Sequence, residues 1–255
     1  MTSLDKQQLL TLCHRPDTLF ELFDEIDSTN RWLQTAPGTD IQFCIAESQS
    51  QGKGQQGRQW HSPPGQNIYL SCRWPFPKSQ DLSGLSLAVS LAVLDVVQPC
   101  MPLTPIRIKW PNDIFCMDKK LGGILIELTA APDTIHAIIG IGINVNMLPG
   151  KNVQIDQPWI SLQEITKREW DRHILCAGLM NLLPECLNCF EHQGFSAFMK
   201  KWQAVDYLSD KAVKIQRGRE LFYGTAEGVD PLGRLIIKNN NTLMKFVSGE
   251  ASIVK

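Results

Sequence analysis

The character of the chain changes at Asp210, and this change constrains the fold more than any other feature of the sequence. Before it, strand-like and helix-like segments alternate. After it, only short strand-like runs separated by glycines, asparagines and an Asp-Pro-Leu-Gly turn occur, at 211–216, 221–227, 234–238 and 242–247. Such punctuation is typical of tight turns between strands. The sequence therefore predicts a larger unit at 1–208 and a small all-β unit, which we expect to be a barrel docked on the larger one, at 209–255.

The larger unit is predicted to be a mixed β-sheet with helices, so the fold class is α+β. Short apolar or alternating runs predict the strands, and apolar residues at helical spacing predict the helices. The strands are expected at 20–26, 41–47, 67–74, 104–110, 121–129 and 134–143. The helices are expected at 5–13, from about residue 31, and at 82–98, 167–193 and 195–205.

The composition of the 255-residue chain disfavours several classes of function. Its net charge is −1, whereas a nucleic-acid-binding protein normally has a strongly basic domain or surface. No run of about 18 apolar residues predicts a membrane helix, and the N-terminus lacks the pattern of a secretory signal. The eight cysteines are then read as reduced thiols. We therefore expect a cytoplasmic protein that binds neither DNA nor a membrane.

Two of these cysteines have a spacing that resembles part of a metal site. Cys186 and Cys189 are followed by His192, but they lie in a helical run and no second cysteine pair follows. A structural zinc site needs four ligands, and a free cysteine behaves as a small hydrophobic residue. Packing on one helix face is favoured, and no structural metal is expected.

A glycine-rich loop gives the strongest local indication of a ligand. It reads Gly52-Lys53-Gly54-Gln55-Gln56-Gly57-Arg58, follows a predicted strand and precedes Trp60. Backbone N–H groups in such a loop can form an anion-binding concavity, and the two cations add charge. The spacing matches neither a Walker A loop nor a Gly-x-Gly-x-x-Gly turn that opens a helix. The loop indicates a phosphate or acyl-phosphate site, with an ordinary flexible surface loop as the alternative.

A polar cluster follows the predicted strand at 104–110. Pro111 cannot continue a strand ladder, so Asn112 and Asp113 are expected to turn outward where the strand ends. A carboxylate on a rigid strand end is placed to hold Mg²⁺ or to receive an amine. An Asx turn that caps the loop is the alternative, and it is favoured for this motif in isolation.

The next strand begins with two lysines and two glycines, Lys119-Lys120-Leu121-Gly122-Gly123. A lysine beside glycines can approach a ligand closely, and its ammonium suits a carboxylate and a phosphate together. The alternative is a pair of solvated lysines at a hairpin turn, which is expected for Lys119.

Glycine and isoleucine alternate in Gly140-Ile141-Gly142-Ile143-Asn144, so one face of this strand is bare backbone. Glycine inside a strand often marks the close approach of a ligand or another part of the chain. A flat ring could lie on that face with Asn144 at its polar edge. A β-bulge or tight sheet packing explains the glycines equally well.

Together and in this order, the motifs resemble those of the biotin protein ligases. The resemblance runs from about Phe20 to the C-terminus and includes Ser28-Thr29-Asn30, Gln49, the glycine-rich loop, Trp60, residues 109–113, residues 120–125 and residues 140–144. It implies a class II synthetase-like catalytic domain followed by an SH3-like barrel. It also implies that biotin and MgATP react to biotinoyl-5′-AMP and pyrophosphate, and that the acyl group then passes to a lysine of a biotin carboxyl carrier protein, a subunit of acetyl-CoA carboxylase. A homodimer is compatible with the resemblance.

The resemblance implies roles for individual residues. Lys120 and Asp113 would be catalytic: Lys120 would grip the biotin carboxylate and the α-phosphate, while Asp113 would serve Mg²⁺ or the incoming lysine. The biotin-binding residues would be Ser28, Thr29, Asn30, Gln49, Lys53, Gly54, Gln55, Lys120, Gly140 and Gly142. The ATP-binding residues would be Gly52, Lys53, Gly54, Gln55, Arg58, Trp60, Asn112 and Asn144.

The chain departs from the family pattern in two respects. Many relatives have arginine at the position of Gln55, so the grip of the loop on a phosphate is expected to be weaker. Bifunctional members carry an N-terminal winged helix-turn-helix, whereas few residues precede the match here, so no repressor activity is expected. Two alternatives stay open at this stage: an acyltransferase of the lipoate or octanoate ligase type, and a non-catalytic biotin-binding regulator.

Overall fold

A seven-stranded mixed sheet forms the centre of the larger unit in the computed structural model, which describes residues 3–15, 17–38, 40–150 and 155–254. The strand order is β1-β2-β3-β7-β6-β5-β4, with β1 and β2 parallel and all other neighbours antiparallel. The strands are β1 (Leu19–Ile26), β2 (Gln42–Gln49), β3 (Ile68–Pro77), β4 (Ile106–Lys109), β5 (Asp113–Cys116), β6 (Lys119–Ala130) and β7 (Thr134–Ile143).

Helices cover both faces of this sheet. They are α1 (Lys6–Leu12), α2 (Thr29–Thr35), α3 (Leu85–Val97), α4 (Leu162–Thr166), α5 (Arg172–Gln193) and α6 (Met199–Val205). Helices α3 and α5 pack against each other and against the sheet, and their buried leucines belong to the main core. Helix α2 contacts β2, β3 and β7, where Leu33 packs with Cys44 and Ile138 in a separate cluster.

Strand β7 shows why the two faces differ. Ile139, Ile141 and Ile143 point into the main core, as the two-residue period of a strand requires. Gly140 and Gly142 alternate with them and therefore lie on the face that α2 partly covers. The glycine positions leave this face open beside α2, and the candidate site lies there.

Helix α5 is a core helix. It is 22 residues long and apolar enough to cross a membrane by length and composition, but 56% of its most apolar window is buried within the protein. Leu175, Leu179, Leu183 and Leu187 recur every four residues and are all buried. This stripe faces the rest of the core, as expected for a helix of a soluble protein.

The small C-terminal unit is a five-stranded antiparallel sheet of order β11-β10-β9-β8-β12. Its strands are β8 (Ala212–Arg217), β9 (Glu220–Val229), β10 (Leu235–Asn239), β11 (Thr242–Phe246) and β12 (Glu250–Ile253). Within the described residues, the ladder is open between β11 and β12. The arrangement fits an SH3-like barrel, as the sequence predicted.

The small unit docks on the larger one through close backbone contacts. The Trp110 indole donates a hydrogen bond to the Gly233 carbonyl at 3.1 Å. A Cβ added to Gly233 would lie 2.6 Å from the Gly84 Cα, and Gly84 and Gly233 have φ of +80° and +71°. The expectation that the small unit docks on the larger one is confirmed. The boundary at 208 and 209 falls between α6 and β8, and the division into domains there stays a prediction.

The structure corrects three predicted elements. The helix expected at 167–193 begins only at Arg172, because Lys167 adopts φ of +59° at the end of α4 and Asp171 caps α5 by accepting a hydrogen bond from the His173 amide. The helix expected at 195–205 begins with a 3₁₀ turn at Phe195–Phe198. The polar cluster after β4 is not the end of a ladder, since β5 begins at Asp113. Strand β12 was not predicted.

Candidate active site

A cavity of about 700 Å³ lies between the sheet and the glycine-rich loop. Strands β5, β6 and β7 form one side, the loop covers the other, and Gly249–Ala251 of the small unit close one end. This volume is in the range of a small-ligand site. The lining includes these residues predicted from the sequence: Ser28, Thr29, Asn30, Gln49, Lys53, Gly54, Gln55, Arg58, Trp60, Asn112, Asp113, Lys120, Gly140, Gly142 and Asn144.

Gly52 is the one predicted site residue that lies outside this lining. A Cβ at Gly52 would lie 2.7 Å from both the Ser62 Oγ and the Trp60 carbonyl oxygen. Because these atoms lie so close, no larger residue fits at position 52. They give Gly52 a part in shaping the base of the loop.

Lys120 and Asp113 form an ion pair in the sheet side of the cavity. Lys120 Nζ lies 2.7 Å from Asp113 Oδ1, and the two side chains are only 12% and 18% exposed. Asp113 pairs with Gly123 across the β5–β6 ladder. A Cβ on Gly123 would lie 3.2 Å from Lys120 Cε, so this glycine makes room for the pair. Asp113 is therefore held on a strand and not in the Asx turn that was favoured for the isolated motif.

The bare face of β7 receives two side chains. A Cβ on Gly140 would collide with the Asn30 carboxamide, and one on Gly142 would lie 2.6 Å from Trp60 Cζ2. The flat ring over Gly142 in this structure is thus the Trp60 indole. Its buried Nε1 has no hydrogen-bond partner among the described residues, and Lys120 Nζ lies 5.3 Å from the ring centroid.

Hydrogen bonds fix the polar side chains beneath this face. The Gln49 Oε1 accepts from the Thr29 amide at 2.9 Å and from its hydroxyl at 3.1 Å. The Ser71 hydroxyl lies 2.7 Å from both the Thr29 hydroxyl and the Asn30 Oδ1. Ser28 is the N-cap of α2, but its hydroxyl makes no capping hydrogen bond. The arrangement orders donors and acceptors around one end of the cavity before any ligand binds.

The two predicted asparagines tie chain segments together. Asn112 donates to the Ile124 carbonyl at 2.7 Å. Asn144 donates to the carbonyls of Lys120 and Ile160 at 3.3 and 3.2 Å. Both are buried, so each carboxamide positions neighbouring backbone of the cavity wall. The role of Asn144 at a ring edge stays a prediction.

The glycine-rich loop, Gly52–Arg58, is a narrow hairpin. Lys53 pairs with Gln59, and the Gly54 amide donates to the Arg58 carbonyl at 2.7 Å. Positive φ occurs at Gln56 and Gly57, whereas Gly54 has φ of −108°. Arg58 also pairs with Glu250 of β12. The loop is therefore linked to the small unit at the mouth of the cavity.

Sequence reasoning missed Lys109, Trp159 and Glu250, which also line the cavity. Lys109 stands inside the recognised motif and could have been found, because it precedes the kink at Pro111 by two residues. Burial lowers the pKa of Lys109, and the charges of Asp113 and Glu250 oppose this shift. Glu250 reaches the cavity only because the small unit docks there, and no local pattern signals that.

The cysteine prediction is confirmed for Cys186. Its thiol donates to the Ala88 carbonyl at 3.4 Å, and the side chain packs against the main core. Burial raises the pKa of this thiol to about 12. The thiol is thus protonated and part of the α3–α5 packing.

Two family models match this fold. A model described as the Biotin/lipoate A/B protein ligase family matches residues 22–144, which contain the seven-stranded sheet apart from the start of β1. A model described as the Biotin protein ligase C terminal domain matches residues 208–254, the small unit. Fold and cavity together define a protein ligase of the biotin and lipoate type.

Two relatives identify the family within this class of ligases. The chain is 36% identical over 234 residues to the bifunctional ligase/repressor BirA of Salmonella typhimurium, covering 89% of this chain and 72% of the relative. It is also 36% identical to a biotin–[acetyl-CoA-carboxylase] ligase of Mycobacterium tuberculosis, over 82% of this chain and 79% of the relative. The chain belongs to the biotin protein ligase family.

A solved structure agrees with this assignment. The biotin protein ligase from Aquifex aeolicus in complex with biotin and ATP superposes with a TM-score of 0.80 at 28% identity. The match covers 93% of this chain and 99% of that one. The predicted fold class, a biotin ligase sheet followed by a small β unit, is confirmed.

Proposed function

We propose that this chain is an ATP-dependent ligase that attaches biotin to a lysine of a biotin carboxyl carrier protein through biotinoyl-5′-AMP. The Lys120–Asp113 pair, held at 2.7 Å in the wall of a cavity, is the observation that carries the proposal. The names of the relatives and the biotin and ATP bound to the Aquifex structure support the substrates. The same names weigh against the lipoate-type and regulator alternatives.

Lys120 is assigned to the first half-reaction. A carboxylate oxygen of biotin attacks the α-phosphorus of ATP, and pyrophosphate leaves. Two anions approach each other in this step, so an ammonium between them stabilises the developing charge. Gly123 keeps the space in which the Lys120 side chain can reach both.

Asp113 is assigned to the second half-reaction. The carrier lysine attacks the acyl carbon of the adenylate as a free amine, and AMP leaves. A carboxylate beside the acyl group attracts the incoming ammonium and can accept its proton. Because Asp113 is held on β5 by Lys120, its position does not depend on the glycine-rich loop.

The other predicted residues keep their assignments as part of this proposal. Ser28, Thr29 and Gln49 would hydrogen-bond the polar ends of biotin, beside the glycine face of β7. The Trp60 indole, which covers Gly142 here, would move aside for a ring and wall the adenine side. Asn30, also assigned to biotin, accepts a hydrogen bond from the Ser71 hydroxyl. Lys53, Arg58 and the amides of the loop would close over the adenylate and exclude water from the mixed anhydride.

Mg²⁺ would enter with ATP. Magnesium is commonly bound by one or two carboxylates together with substrate phosphates and water. Across the described residues, no group of three or more His, Cys, Asp or Glu could hold a metal ion. The donor set fits an ion held mainly by the phosphates, with Asp113 as the nearby carboxylate.

Several wider expectations stay predictions. They are the cytoplasmic location, compatibility with a homodimer, the identity of the carrier and the absence of DNA binding. The net charge of −1 supports the last, because operator binding needs a basic surface.

The direct test mixes the purified protein with radiolabelled biotin, MgATP and a purified biotin carboxyl carrier protein. We expect pyrophosphate release, an adenylate that can be isolated, and label on one carrier lysine. Octanoate or lipoate used in place of biotin at equal efficiency would favour the acyltransferase alternative. Tight biotin binding without pyrophosphate release would favour the regulator.

A further inference from the structure

Lys109 is a cation in the cavity wall to which no role has been given above. It ends β4 directly opposite Asp113 in the antiparallel β4–β5 ladder. Side chains opposite each other in such a ladder lie on the same face. Lys109 Nζ lies 5.3 Å from the centroid of Phe115, two residues further along that face. The ammonium therefore lies in the wall on the Asp113 side.

The charges around Lys109 are unbalanced. Two carboxylates near it are engaged by other cations: Asp113 by Lys120 and Glu250 by Arg58. Lys109 itself forms no ion pair within the described part of the chain. The third carboxylate of the lining, Asp156, is exposed and is not among the charges that act on Lys109.

The partial burial of Lys109 acts in the same direction. It lowers the pKa of Lys109, and the charges of Asp113 and Glu250 offset this only in part. A partly buried cation without an ion-pair partner is unfavourable by itself. Such a group is stabilised when an anionic ligand enters the cavity.

The position of Lys109 indicates which anion. On one side it lies opposite Asp113, which pairs with Lys120 at the site assigned to the biotin carboxylate and the α-phosphate. The Arg58–Glu250 pair, at the contact with the small unit, lines the same cavity. An anion that extends from the α-phosphate toward the small unit would meet Lys109. We propose that Lys109 binds the β- and γ-phosphates of ATP and stabilises the pyrophosphate as it leaves. This inference rests on the proposed function.

The chemistry of adenylate formation explains why a cation is useful at the position of Lys109. When the biotin carboxylate oxygen bonds to the α-phosphorus, the bond from that phosphorus to the bridging oxygen breaks. The electron pair goes to the bridging oxygen, and pyrophosphate gains negative charge. A cation held there stabilises the transition state as well as bound ATP. The biotinoyl-AMP that remains has no β- or γ-phosphate, so Lys109 has no such partner in the second half-reaction.

The test separates the two half-reactions in Lys109→Met. We expect kcat/KM for MgATP in pyrophosphate release to fall about 10- to 100-fold, as for the loss of one charged hydrogen bond. Biotin affinity and transfer from supplied biotinoyl-AMP to the carrier should stay within about twofold of wild type. Lys109→Arg should recover most of the lost activity, because it restores the charge. Lys119→Met is the matched control, since Lys119 lies outside the cavity lining and pairs with Glu164.

Several outcomes would overturn the inference. Unchanged kcat/KM for MgATP in Lys109→Met would exclude a phosphate contact. Weakened biotin affinity would place the biotin carboxylate at Lys109, and slowed transfer from supplied adenylate would show a general effect on the site. If Lys109→Met does not fold, Lys109→Gln is compared with Lys109→Arg by the same readouts. A wild-type protein that releases no pyrophosphate would contradict the proposed function itself, whereas a normal wild type with a normal Lys109→Met contradicts only the inference.

Discussion

The sheet behind the cavity and the loop over it are each anchored by an arginine–carboxylate pair, but in opposite environments. Behind the cavity, Arg172 Nη1 of α5 lies 2.6 Å from Glu47 Oε2 of β2, and the side chains are 2% and 7% exposed. On the loop side, Arg58 pairs with Glu250, and the side chains are 51% and 38% exposed. Exposed pairs contribute little, whereas breaking a buried pair is strongly destabilising. The sheet side is therefore fixed, and the glycine-rich loop can open at small cost.

The contacts around each pair reinforce this difference. Glu47 also accepts hydrogen bonds from the Leu4 amide and the Ser3 hydroxyl, and it lies two residues before Gln49 in β2. The loop, in contrast, is held mainly by its own hairpin hydrogen bonds. The reactive groups of the proposed mechanism, Lys120 and Asp113, belong to the fixed side. Closure of the loop would exclude water from the cavity, but it would not be needed to bring Lys120 and Asp113 together.

The largest effect is expected when the buried Arg172–Glu47 pair is broken. Glu47→Ala should lower the free energy of unfolding by about 3–5 kcal/mol, because it leaves Arg172 buried without its carboxylate. Glu250→Ala is the matched variant on the loop side and should change it by about 1 kcal/mol or less. Urea denaturation measures both. Equal losses in the two variants would remove the contrast between the sides.

The next effect concerns the chemistry of the fixed side. Lys120→Ala should slow formation of biotinoyl-AMP by about 10²–10³-fold, because one cation aimed at a transition-state charge is lost. Transfer from supplied biotinoyl-AMP should suffer less. Single-turnover pyrophosphate release measures the first step. Release at the wild-type rate would refute the assignment of Lys120.

A smaller effect is expected where the two sides touch. Gly142→Ala places a methyl group against the Trp60 indole, and overpacking of this kind typically costs about 1–3 kcal/mol. We expect adenylate affinity to fall by a comparable amount, measured by calorimetry. Gly150→Ala is the control, since a Cβ at Gly150 would meet no atom within 4 Å. Unchanged affinity in Gly142→Ala would mean that Trp60 leaves this position freely.

The smallest effect is expected in the loop. Gln55→Arg replaces a neutral hydrogen bond to a phosphate with a charged one, so release of biotinoyl-AMP should slow by about tenfold or less. Stopped-flow displacement of bound adenylate measures the rate. Gln7→Arg adds the same charge on the exposed side of α1 and should leave it unchanged. An equal or faster release from Gln55→Arg would place the phosphate grip elsewhere, with Lys53 as the next residue to change.

The sequence predicted those features of the sheet side that depend on the local pattern of a single strand. The glycine alternation of β7 and the Lys120-to-Gly123 motif are properties of single strands, and the structure brings them together. The start of β5 at Asp113 was missed, because Pro111 reads as the end of a ladder when the returning strand is not considered. The ion pairs Arg172–Glu47 and Arg58–Glu250 span 125 and 192 residues, so no local pattern reveals them. The position of Trp60 over Gly142 depends on how the loop folds back, which is again a long-range property.

Amide hydrogen exchange with and without biotinoyl-AMP tests the contrast between the two sides most directly, because it reports local opening segment by segment. Without ligand, the amides of β6 and β7 should already be strongly protected, and those of residues 53–58 should exchange much faster. With the adenylate bound, the loop amides should gain at least about tenfold in protection, while those of β6 and β7 change by about twofold or less. A gain in protection across β6 and β7 equal to that of the loop would contradict the account, since the sheet side would then form only with the ligand.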